Sequence, residues 1–107
     1  MAHRDEKLAE AIRELASRFV NEESNRQSLI TVTRVAMGDK GKKATVFFTA
    51  LPQEREAQAL DFLSRKTGEL RKAITDKKIV GFAPRIEFAI DSGEHNRQRI
   101  DELLNEG

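Results

Sequence analysis

The 107-residue chain has no cysteine, tryptophan or tyrosine, and only two histidines and two prolines. Without cysteine there is no disulfide, no thiolate nucleophile and no Cys-ligated zinc or iron–sulfur site. The histidines, His3 and His95, stand near opposite ends of the chain, so imidazole acid–base or metal chemistry has little to work with. Any aromatic platform for stacking on nucleobases has to be built from phenylalanine alone. No stretch approaches the roughly 18 to 20 consecutive apolar residues of a membrane span, and Met1-Ala2-His3-Arg4-Asp5 opens without the apolar run of a signal peptide. A cytoplasmic location away from membranes is expected, and an enzyme is disfavoured.

Charge and a modest apolar content are what is present. Charged residues make up 35% of the chain, against about 25% in ordinary globular domains. Leu, Ile, Val and Phe together supply about a quarter, enough for a small core in one domain over residues 1–107. The net charge of +1 conceals a segregation. Segments 1–24, 50–62 and 91–107 carry −2, −2 and −3, while 25–49 and 63–90 each carry +4. Basic charge is concentrated in the middle of the chain.

Leu8, Ile12, Leu15, Ala16, Phe19 and Val20 recur at helical spacing and predict an amphipathic helix. The β-branched run Leu29–Met37 predicts a strand whose inward parity switches between Val32 and Val35, implying a bulge. Gly38–Lys43 reads as a hairpin turn, and a second strand over Ala44–Ala50 turns Ala44, Val46, Phe48 and Ala50 inward. Pro52 and Glu54 suit a helix start; the apolar spacing then runs through Ala57, Leu60 and Leu63 and past Gly68 to Leu70 and Ile74, which allows one long helix or two joined at a kink, and Gly68 favours the kink. Ile79–Pro84 forms a connection plugged by Phe82. Arg85–Asp91 alternates as a third strand with Ile86, Phe88 and Ile90 inward, and a last helix presents Ile100, Leu103 and Leu104. The expected architecture is α+β, a small three-stranded mixed sheet with helices packed on one face.

Two basic groups are candidates for contact with nucleic acid. The hairpin carries Lys40, Lys42 and Lys43 with Arg34 nearby, and its bland alternative is a solvated tip. The kinked helix and its exit carry Arg65, Lys66, Arg71, Lys72, Lys77 and Lys78, followed by Arg85, where the bland alternative is a solvated face. Phe47 points away from the core, and cover by the last helix is favoured over base stacking. Catalytic patterns fail: Gly38–Lys43 lacks the spacing and the Ser or Thr of a phosphate-binding loop, and Ser24, Ser28, Ser64 and Ser92 have no recognisable His–carboxylate partner. Acid pairs Glu22-Glu23 and Glu54-Glu56 are explained by solvation or the helix dipole. No cofactor, metal or small-molecule substrate is expected. The competing reading is a protein-interaction module whose acidic terminal helices dock a basic partner, and a small acylphosphatase-type enzyme ranks third.

The strands Val32-Thr33-Arg34-Val35-Ala36-Met37 and Ala44-Thr45-Val46-Phe47-Phe48-Thr49 resemble the VTxV and AxVYVT hairpin of the ribosome-binding factor A family. Leu70-Arg71-Lys72-Ala73-Ile74, Pro84-Arg85-Ile86-Glu87-Phe88 and Asp91-Ser92 resemble its later motifs, and Asn25–Leu29 stands where the family has a DPRL-like segment. The resemblance implies a single type II KH-like domain in which an Ala-x-Gly kink joins two central helices. Here that kink reads Lys66-Thr67-Gly68, with the glycine kept and a lysine in place of the alanine. It also implies a monomeric, non-catalytic factor that binds the small ribosomal subunit and its rRNA during late maturation, with links to rRNA processing and growth in the cold.

Overall fold

The computed structural model describes residues 2–23, 29–78 and 81–93. The expected last helix with Ile100, Leu103 and Leu104, its cover of Phe47, and the segment Asn25–Ser28 lie outside these residues. Helix α1 (Ala2–Glu23) buries Ile12, Ala16 and Val20 completely, one residue per turn along a single stripe, with Leu8, Leu15 and Phe19 packed beside them.

Strand β1 (Leu29–Gly38) pairs antiparallel with β2 (Lys43–Leu51). The register runs from Leu29↔Leu51 to Val32↔Phe48 and resumes at Arg34↔Phe47, leaving Thr33 as the extra residue of a bulge. That one residue lets Ile30 and Val32 on one side of it, and Val35 and Met37 on the other, all join the core. At the tip, Asp39, Lys40 and Gly41 take φ of 50°, 55° and 84°, and the Lys42 N–H closes the turn on the Asp39 carbonyl at 3.0 Å. In β2 the alternation is strict, with Ala44, Val46, Phe48 and Ala50 at most 1% exposed.

After a short turn at Gln53–Arg55 the chain crosses over through α2 (Glu56–Ser64) and α3 (Thr67–Asp76) into β3 (Arg85–Ile90), which lies parallel to β2 from Lys43↔Arg85 to Phe48↔Ile90. The sheet order is β1-β2-β3, antiparallel on one side of the centre and parallel on the other. Ala59 and Leu63 of α2, Leu70 and Ile74 of α3, and the α1 stripe cover one face of this sheet, completing the expected α+β, KH-like arrangement. The Phe48 and Phe88 rings meet edge to face at 6.4 Å across the parallel pair.

Four expectations need correction. Ala57 is exposed and Ala59 takes the core position, because α2 begins at Glu56 and its inward stripe runs Glu56, Ala59, Leu63. Glu56 itself is buried, not solvated, and accepts a hydrogen bond from the Ala50 N–H at 3.3 Å. The helix breaks at Arg65 and Lys66, where N–H groups bond three residues back to Phe62 and Leu63, so Gly68 is not the hinge; it lies in the first turn of α3, and a methyl group there would meet nothing within 4 Å. Phe82 is no plug: a bend at Gly81–Phe82 swings it out to 78% exposure, and Ala83 and Pro84 fill the space at the entrance to β3. Among the described residues no helix is long and apolar enough to cross a membrane.

Candidate nucleic-acid interface

Parallel pairing brings together two basic segments that are far apart in sequence. Because Lys43 stands opposite Arg85, the hairpin tip that leads into β2 lies against the connection that leads into β3. The Arg85 N–H donates to the Lys42 carbonyl at 2.8 Å and fastens the two. Lys77 and Lys78 open the same connection at the end of α3, and Arg71 reaches its other end by donating Nη2 to the Ala83 carbonyl at 3.3 Å. Lys40, Lys42, Lys43, Arg71 and Arg85 therefore gather at one end of the sheet, and Lys77 and Lys78 begin the connection that leads there.

Within this group Lys43 is engaged, its Nζ 2.7 Å from Glu87, and that contact holds the Glu87 carboxyl below its ordinary value, first through the hydrogen bond and then through the charge itself. No ion pair among the described residues involves Lys40, Lys42, Lys72, Lys77 or Lys78, and the Arg85 charge adds a smaller contribution to that of Lys43 on Glu87. The cations here outnumber the neighbouring acids Asp39, Asp76 and Glu87, and the excess creates a positive field suited to a polyanion.

The other predicted residues sit apart. Arg65 pairs with Asp61 at 2.6 Å, and Lys66 lies 3.6 Å from Glu69 and 5.7 Å above the Phe62 ring, so the cations at the helix break face acids of their own helices. Of Lys66, Thr67 and Gly68, only Lys66 belongs to the break, while Thr67 and Gly68 begin α3. Lys72 is exposed on α3 next to Arg71. Arg34 is on the sheet face away from the helices, its guanidinium 3.8 Å over the half-buried Phe47 ring, with Nε 3.8 Å from the Asp91 carboxylate. Asp91 is buried and accepts a hydrogen bond from Thr33 Oγ1 at 2.6 Å, so the bulge residue and the end of β3 are tied across β2.

Two residues escaped the sequence reading. Arg18 of α1 lines a groove of about 230 Å³ together with Ala11, Glu14, Leu15 and Lys77, which adds a cation from the first helix beside the end of α3. Nothing in the periodicity of α1 indicates which helix packs beside Arg18. Phe82 was assigned to the interior because it is apolar, and the neighbouring Gly81 was the one sign of a bend.

A family model described as ribosome-binding factor A matches residues 4–104. A protein of Geobacter sulfurreducens named ribosome-binding factor A is 35% identical over 99% of this chain and 92% of its own length. One of the same name from Koribacter versatilis is 33% identical over 97% and 87% respectively. Among solved structures, the crystal structure of ribosome-binding factor A from Thermus thermophilus superposes with a TM-score of 0.69 at 23% identity, covering 80% of this chain and 94% of that one. A homology model of the Thermus thermophilus factor, fitted into a cryo-EM map of a 30S complex, matches with a TM-score of 0.64 at 23% identity over 75% of this chain and 87% of that one. The gathered cations, the bulged hairpin and the broken central helix thus sit on a fold with known counterparts, and the near-complete match in sequence shows that this chain belongs to the ribosome-binding factor A family.

Proposed function

We propose that residues 1–107 act as one non-catalytic, monomeric, cytoplasmic domain that binds the small ribosomal subunit through its rRNA during late maturation, with roles in rRNA processing and growth in the cold. The observation that carries this reading is the joining of Lys42 to Arg85, which assembles one cationic end from two separate basic segments. The reading is supported by the family relationship and by the 30S complex into which the Thermus thermophilus factor was fitted. Lys40, Lys42, Lys77, Lys78 and Arg85 contact backbone phosphates, with Lys43, Arg71 and Lys72 alongside; shape and backbone geometry, more than base edges, provide selectivity. Arg65, Lys66 and the first turn of α3 form a second, weaker contact, and Arg34 braces the sheet through Phe47 and Asp91.

Co-sedimentation with isolated small subunits near physiological ionic strength tests this. Stoichiometric pelleting that fades with added salt is the expected result. Reversing the charge of Lys42, Lys77 and Lys78 together should abolish pelleting, and reversing Lys66 alone should weaken it less. Absence of pelleting by the unaltered chain would displace the ribosomal reading in favour of a protein-interaction module.

A further inference from the structure

We propose that Phe82 stacks on an unpaired base of the RNA held by the cationic end, an inference that rests on the RNA-binding function proposed above. Of the six phenylalanines, the other five are buried or half-buried, whereas Phe82 is 78% exposed and makes no part of the core. The ring is anchored on its C-terminal side. The next two residues, Ala83 and Pro84, are buried, and the Arg71 guanidinium holds the Ala83 carbonyl at 3.3 Å. Ala83 and Pro84 occupy the interior at this point in place of the ring.

The surroundings select the partner. From Lys77 to Ile86 the chain carries Lys77, Lys78 and Arg85 and no acid. Beyond Arg85, Glu87 is neutralised by Lys43. An apolar protein groove or a second copy of this chain would have to desolvate these cations without compensation, whereas a nucleic acid supplies phosphates to them and a base face to the ring together. Stacking requires an unpaired base, because in a duplex both faces of every base are covered by its neighbours in the stack. The predicted target is therefore a loop, bulge or junction nucleotide.

The chain contains no tryptophan and no tyrosine, so Phe82→Trp gives it a single indole, whose emission is read as the difference from subunits mixed with the parent chain. With isolated small subunits near physiological salt, emission of the Phe82→Trp chain should be quenched as it binds. Ultraviolet irradiation should join residue 82 to an rRNA nucleotide, identified by mass spectrometry. Phe82→Ala should keep the melting temperature of the parent chain and bind about 5- to 150-fold more weakly, with Phe82→Trp restoring affinity. Undiminished binding by Phe82→Ala, or binding by Phe82→Trp without quenching, overturns the stacking contact and leaves the RNA-binding function standing. A cross-link to a ribosomal protein overturns it in favour of a protein contact. Failure of the unaltered chain to bind small subunits overturns both.

Discussion

Lys78 follows α3 with φ of 54°, a left-handed position that glycine adopts freely and an L side chain does not, and its N–H bonds back to the Thr75 carbonyl at 3.0 Å. Lys78→Gly should raise stability by about 0.5 to 1 kcal/mol, seen as a higher urea midpoint at unchanged m, while weakening subunit binding by removing a phosphate contact. Glu87 gives a second test at this scale. Its carboxyl titrates below the usual glutamate range because Lys43 hydrogen-bonds the ionised form. Its contribution to stability is therefore present above the glutamate range and lost as pH falls through the depressed value, a small effect at so exposed a site. A carboxyl-detected NMR titration should show Glu87 below the usual glutamate range, and Lys43→Met should move it back up. Glu56 differs, being buried with the Ala50 amide as donor. Glu56→Ala should cost about 1 to 3 kcal/mol in chemical denaturation, against about 0.5 or less for exposed Glu54→Ala.

The crossover helices show what periodicity conveys at the scale of an element and what it omits. Leu63, Leu70 and Ile74 were legible as one apolar series because the break at Arg65 and Lys66 barely disturbs the phase, and for the same reason its location was not. Glycine attracted the assignment through its poor helix propensity, yet Gly68 has an ordinary helical backbone and open space around its Cα. Gly68→Ala should accordingly stabilise the domain by about 0.5 to 1 kcal/mol, a rise of several degrees in melting temperature. The hairpin was legible nearly to the residue, including the bulge, since Ile30, Val32, Val35 and Met37 cannot share a face without an extra residue between them. Phe82 and Ala57 were misplaced because apolar character alone does not reveal where a connection bends or on which residue a helix starts.

At the scale of the molecule, the two basic segments were legible and their meeting was not, because it depends on a long-range parallel register that no local pattern encodes. If that assembled end contacts phosphates, the logarithm of the binding constant should fall linearly with the logarithm of salt concentration, and each of Lys42→Gln and Lys77→Gln should lower the slope by about one. Lys40→Gln tests the tip of the hairpin in the same way. Arg34→Gln, placed on the far sheet face over Phe47, should lower stability more than it changes the slope.

The parallel pairing of β2 with β3 also has a kinetic side. The β1–β2 hairpin closes a tight turn and α1 packs on it from the adjacent segment, whereas β3 joins β2 only by closing the long crossover loop, with its larger entropy cost. The transition state for folding should therefore be polarised, with α1 and the hairpin organised and the β3 contacts still absent. Stopped-flow measurements should show Val46→Ala slowing refolding, while Phe88→Leu, at the edge-to-face contact with Phe48, mainly accelerates unfolding. Opening from the β3 side would then release Arg85 from Lys42 and divide the cationic end before the rest of the domain gives way.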